Sequence, residues 1–145
     1  MTYSTNYFRH HGMSYPAEAR KALANMRMAQ ADGFLGDAAL LAGHGSLRSA
    51  VNRCYYAMFH ATSALAINDG CDFRRHTAII SWFDQTYVKT GRLPRELSKA
   101  LRHAFDSRSD ADYGDAITFA AADVEALLEQ ARQFVAVLKS HLQAS

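Results

Sequence analysis

Residues recurring at threes and fours between Ser46 and Asn68 constrain this chain more than any other feature. Leu47, Val51, Cys54, Tyr55, Met58, Thr62 and Leu65 fall on one face of a helix with 3.6 residues per turn, a mostly apolar stripe fit for burial. Arg53, Tyr56 and His60 recur on a neighbouring stripe, with Ala57 and Ala64 beside them. Residues seven apart stand two turns along nearly the same face, ~10 Å apart at ~1.5 Å rise per residue. An arginine, a tyrosine and a histidine therefore look the same way from one helix, and this stripe is the chain's best chemical lead.

Four further segments share the helical period. Ser14 and Pro16 read as a helix start. Ala19, Ala22, Leu23, Met26, Ala29, Gly33, Phe34, Leu40 and Leu41 then predict an amphipathic helix to about Ala42. Gly33 and Gly36 each cost ~1 kcal/mol relative to alanine in a helix interior, so a break or kink is expected there. The GHG at 43–45 reads as a turn, Ser46 as an N-cap and Gly70 as a stop. After the polar link at 71–75, Ile79, Trp82, Phe83 and Val88 predict a third helix ending at Gly91. Pro94 opens a fourth, with Leu97, Leu101, Ala104 and Phe105 inward and Arg108 on the same stripe. The acidic SDADY that follows, up to Gly114, reads as a loop. The last helix carries Val124, Leu127, Leu128, Ala131, Phe134, Val135, Leu138 and Leu142. Asp123 and Glu125 in its first turn and Lys139 and His141 in its last complement the helix dipole.

Five helical segments, short connections and no alternating strand pattern predict an all-α, up-and-down bundle of four long helices plus one additional helix. Residues 1–13 show no period and read as a flexible N-terminal arm before a single domain at 14–145. No stretch approaches the ~18 consecutive apolar residues of a membrane span. The start, MTYSTNYFRHHGMSY, lacks the basic-then-apolar layout of a signal peptide, so a cytoplasmic protein is expected. A formal charge of +2 gives only weak attraction to nucleic acid, although seven histidines can add to it near neutral pH. Cys54 and Cys71 have no CxxC spacing and read as free thiols. His10 and His11 have no further ligand at useful spacing, so neither a metal nor another cofactor is expected.

The blocks NRCYYAMFHA at 52–61, His76, VKTG at 88–91, LP at 93–94 and RSDADY at 108–113 resemble the prokaryotic HEPN domain. The likeness spans roughly residues 16 to 142, with the blocks in the expected order. It is to the stand-alone branch, short proteins often encoded beside a minimal nucleotidyltransferase. The resemblance implies a small helical bundle that forms a homodimer. It also implies a metal-independent endoribonuclease working as a toxin or in phage defence, with RNA and the nucleotidyltransferase as partners. The family's signature is an arginine followed four to six residues later by a histidine, near the end of a late helix. Arg108 matches the arginine, but no histidine follows, and Tyr113 stands five positions on.

Metal-free RNA cleavage needs a base for the 2′-hydroxyl, an acid for the leaving oxygen and a cation for the phosphorane. Histidine suits the proton steps and arginine the charge. Arg53 and His60 have those types, and Arg108, Asp112 and Tyr113 complete the candidate catalytic set. Tyr56, which could stack a base, is a candidate RNA or nucleotide contact, as are Arg74, Arg75, His76 and Arg102. The alternative is a non-catalytic binding module that pairs with the nucleotidyltransferase or holds a nucleotide. In it His60 is a hydrogen-bonded core histidine, Arg53 pairs with Asp112 or Asp110, and Arg108 with Asp112 forms a helix-end ion pair. Arg92, Arg95, Lys99 and Arg102 are then a solvated basic face. A third role, target of modification by the partner enzyme, would fall to Tyr113 or Tyr56.

Overall fold

The computed structural model describes residues 15–145. The arm read at 1–13, with Ser14, lies outside them. The elements are α1 (Ala17–Gly43), α2 (Leu47–Asn68), α3 (His76–Phe83) running into a π-helical turn (Asp84–Val88), α4 (Arg95–Tyr113) and α5 (Ala121–Ala144). This is the expected all-α bundle of four long helices and a short fifth. Lys21 Nζ donates to the Ser145 carbonyl at 2.8 Å and Asn68 Nδ2 to the Ser145 hydroxyl at 3.2 Å. The start of α1 therefore meets the ends of α2 and α5. At the other end Arg48, in the first turn of α2, meets the last turn of α4. The long helices run up, down, up and down.

The core forms where the period said it would on α2 and α5. Val51, Cys54, Tyr55, Met58, Thr62 and Leu65 are buried, with Leu47 half-buried, and all eight apolar positions named on α5 are buried. Trp82, Phe83 and Tyr87 close the bundle between α3 and α5, with Phe83 5.7 Å from Phe134. Cys54 is a buried free thiol that burial pushes up to about 12, chemically inert at neutral pH.

Three local expectations are corrected. Helix α1 runs unbroken through Gly33 and Gly36, because packing of its other face against α2 outweighs the glycine cost. Its inward face is also turned from the one predicted. Ala24, Met28, Ala31 and Ala38 are buried, with Leu23, Phe34, Leu35 and Leu41 packed beside them. Ala19, Ala22, Met26, Ala29, Gly33 and Leu40 face outward instead. Alanines on every side of this helix blur its period. Finally, SDADY is not a loop but the last turns of α4, which ends at Tyr113. Ala111 is buried there, Arg108 and Asp112 pair one turn apart, and Arg48 satisfies the terminal carbonyls. The two prolines stand at the N-caps of α1 and α4, one position outside the helices. Ser46 occupies the N-cap of α2, but its hydroxyl makes no capping bond.

Candidate functional site

Helix α2 presents Arg53, Tyr56 and His60 along one half-buried edge, between α1 and the α3–α4 side of the bundle. Phe34 of α1 leans on this edge. Its ring lies 4.8 Å from His60, and the Arg53 guanidinium carbon lies 5.1 Å from its centre. The same guanidinium is 5.5 Å from the Tyr56 ring. Arg53 and His60 thus share two aromatic walls, where a cation is attracted to the π face.

His60 Nδ1 lies 2.9 Å from the Tyr56 carbonyl, one turn back on the helix. A carbonyl can only accept, so Nδ1 carries the proton and Nε2 of the neutral ring has the free lone pair. Burial lowers the affinity of this imidazole for a second proton. The bond to the Tyr56 carbonyl opposes that effect, and the positive charges of Arg27 and Arg53 reinforce it. The group is a neutral base at neutral pH.

Arg53 does not pair with Asp112 or Asp110 as one reading expected. Its Nε and Nη2 donate to Asn52 Oδ1 at 3.1 and 2.6 Å, and it has no carboxylate partner among the described residues. Asn52 Nδ2 reaches Asp112 at 3.2 Å, so the amide stands between arginine and carboxylate. Asp112 is taken by Arg108, whose Nε lies 2.8 Å away, although the Nε–H is not aligned on the oxygen. Arg108 Nη2 donates to the Tyr56 hydroxyl at 3.0 Å. Arg53 and Asp112 line one side of a pocket of about 450 Å³, completed by Arg48, Ser49, Asn52, Leu41 and Ala111.

His76 enters the same cluster as the first residue of α3. Its ring lies 4.0 Å from Phe59 and nearly parallel, at 17°. Its Nδ1 meets the buried Tyr55 hydroxyl at 2.8 Å. Burial holds this imidazole below its ordinary range, with the charges of Arg108 and His60 adding to the effect. Burial also raises the Tyr55 hydroxyl well above its usual range, so it keeps its proton.

The structure therefore brings together Arg53, Tyr56, His60, His76, Arg108 and Asp112 from the sequence candidates. It leaves the others apart. Tyr113 ends α4 at 76% exposure, its side chain without a hydrogen bond or ring contact among the described residues. Arg74 and Arg75 are exposed just ahead of α3. Arg102 lines a separate basic pocket of about 230 Å³ with Arg95, Lys99, Ser98, Val88 and Asp84. Arg92 is packed over the Tyr87 ring at 4.2 Å rather than merely solvated. Sequence reasoning missed Phe34, Arg48 and Asn52, and treated Tyr55 as packing alone. No three His, Cys, Asp or Glu side chains gather as metal ligands among the described residues, and no described helix is long and apolar enough to cross a membrane.

The model of the HEPN domain matches residues 24–141. The chain belongs to the HEPN domain family. A UPF0332 protein of Thermotoga maritima is 38% identical over 101 residues, 70% of this chain and 76% of that protein. A UPF0332 protein of Gloeobacter violaceus is 31% identical over 116 residues, 79% of this chain and 92% of the other. A Methanocaldococcus jannaschii protein named "Putative toxin MJ0142" is 30% identical over 93 residues, 64% of this chain and 63% of its own length. In this HEPN domain Arg108 is held by Asp112 and Tyr56, whereas Arg53 on α2 has no carboxylate partner among the described residues and shares aromatic walls with His60.

Proposed function

We propose that this HEPN protein is the toxin-like component of a toxin–antitoxin or defence module. In this reading it works as a homodimer with a minimal nucleotidyltransferase as partner, and it cleaves RNA without a metal. The name of the Methanocaldococcus jannaschii relative supports the toxin role. The observation that carries the chemistry is the His60–Arg53 arrangement: an imidazole fixed at Nδ1, near a guanidinium with no carboxylate partner among the described residues. His60 Nε2 takes the 2′-hydroxyl proton, and Arg53 holds the scissile phosphate and the charge that builds on it. Tyr56 and Phe34 offer aromatic faces to a base.

The test is cleavage of total RNA by the purified protein in EDTA, beside His60→Ala, Arg53→Ala and Arg108→Ala. Loss in His60→Ala and Arg53→Ala, with Arg108→Ala cleaving in proportion to its folded fraction, supports the α2 site. Loss only in Arg108→Ala returns the chemistry to the family's usual position. A second reading, a binding module for the nucleotidyltransferase or a nucleotide, is favoured by the full engagement of Arg108. Absence of cleavage across RNAs and pH, with saturable nucleotide or partner binding, would establish it.

A further inference from the structure

We propose that His76 is the proton donor of this site, the partner of His60 in a two-histidine cleavage of RNA. The proposal rests on the ribonuclease reading above and adds a residue and a step to it.

The two imidazoles belong to one aromatic cluster. The Phe59 ring lies 4.0 Å from His76, almost parallel to it, and 5.9 Å from His60, edge to face. The Tyr56 ring lies 5.8 Å from His76 and 6.3 Å from His60. Each histidine has one nitrogen fixed by a neighbour. The Tyr56 carbonyl holds His60 Nδ1, and the Tyr55 hydroxyl holds His76 Nδ1. Each therefore leaves Nε2 without a hydrogen-bond partner among the described residues.

The two anchors differ in what they permit. A carbonyl only accepts, so it supports a proton on His60 Nδ1 and leaves Nε2 as a base. A hydroxyl can donate or accept, so Tyr55 bonds His76 Nδ1 in both protonation states. Such an anchor suits a group that must give up a proton from Nε2 and take it back. The cations whose charge acts on these rings are Arg27 and Arg53 at His60, and Arg108 at His76. Arg74 and Arg75 lie exposed immediately before His76, at the start of α3. A phosphodiester is the ligand such a surround attracts.

The step balances without a cofactor. His60 Nε2 removes the 2′-hydroxyl proton as O2′ bonds to phosphorus. The bond from phosphorus to O5′ breaks, its electron pair stays on O5′, and His76 Nε2–H delivers the proton there. One product ends in a 2′,3′-cyclic phosphate and the other in a 5′-hydroxyl. His76 reacts from its imidazolium form, so His60 leaves protonated and His76 neutral, and solvent restores both. Because burial lowers the proton affinity of His76, the all-oxygen reaction is fastest on the acid side of neutrality.

The experiment compares an oligoribonucleotide that the full-length protein cleaves with the same strand carrying sulfur as the bridging 5′ atom at the cut. A thiolate leaves without being protonated. His76→Ala should lose at least about 100-fold on the all-oxygen strand. It should lose less than about tenfold on the sulfur strand, while His60→Ala loses both. Wild type should also lose the alkaline limb of its pH profile on the sulfur strand. Equal losses by His76→Ala on the two strands, at matched far-UV circular dichroism, would make it a structural residue and overturn the proposal. An unimpaired His76→Ala on the all-oxygen strand would do the same. A wild-type protein that cuts no RNA sinks the ribonuclease reading itself, an outcome distinct from either.

Discussion

Arg108 joins α4 to the central helix by donating from Nη2 to the Tyr56 hydroxyl at 3.0 Å. Its Nε faces Asp112 on the same helix, one turn on. With both ends engaged and only 19% of the side chain exposed, it acts as a brace between α4 and α2. Tyr56→Phe removes one bond to a charged donor and should cost about 1–2 kcal/mol in urea unfolding. Arg108→Met should cost more, because Asp112 then loses its cation. A Tyr56→Phe variant as stable as wild type would show that the brace contributes nothing.

Stability should fall on mild acidification. In the unfolded chain both histidines titrate near 6.5, while His60 and His76 are held below that value in the folded protein. Well above 6.5 both are neutral in either state and stability is full. As pH drops through the interval between the unfolded and folded values, the unfolded chain binds more protons and stability is lost. The urea midpoint should therefore decrease from pH 7.5 to 5.5, and decrease less in a His60→Gln, His76→Gln double variant. An identical decrease in both proteins contradicts the assignment.

Nitrogen-detected NMR of labelled histidine offers a direct check on the site's geometry. At neutral pH His60 should appear as the Nδ1–H tautomer. A signal for the Nε2–H form would remove its role as a base.

Gly33 and Gly36 stand in an unbroken helix with open space where a Cβ would go. Alanine at each should raise the stability of the monomer by up to about 1 kcal/mol, seen as a higher thermal midpoint. They share the outward face with Met26 and Leu40, which are 60% and 64% exposed. A thermal gain accompanied by a smaller mass in light scattering would mean that a second copy had been packed against that face.

The sequence was most readable where one face is apolar and the other polar. Helix α5 is such a case, and every inward position on it was legible. On α1 the pattern failed because alanine occurs all round, so inward and outward alanines look alike. SDADY misled for another reason: its composition suits a turn, while a buried Ala111, the Arg108–Asp112 pair and a cation from α2 keep it helical. The α2 stripe of Arg53, Tyr56 and His60 was visible from spacing alone. The link from His76 to Tyr55 was not, because it joins residues 21 positions apart across a turn whose path no local pattern encodes. Asn52 as the go-between for Arg53 and Asp112 was hidden likewise, since a polar residue one place along a helix reads as surface.

Arg48 donates to the carbonyls of Asp110, Ala111, Gly114 and Ile117, so one side chain of α2 fastens the end of α4 and the connection after it. Asp112, the carboxylate that faces Arg108, lies within the segment it holds. Fraying of the first turn of α2 must release the last turn of α4, and with it the carboxylate beside the site. In amide exchange the two ends should open as one cooperative unit, and Arg48→Met should speed exchange across 110–117 before it affects α5.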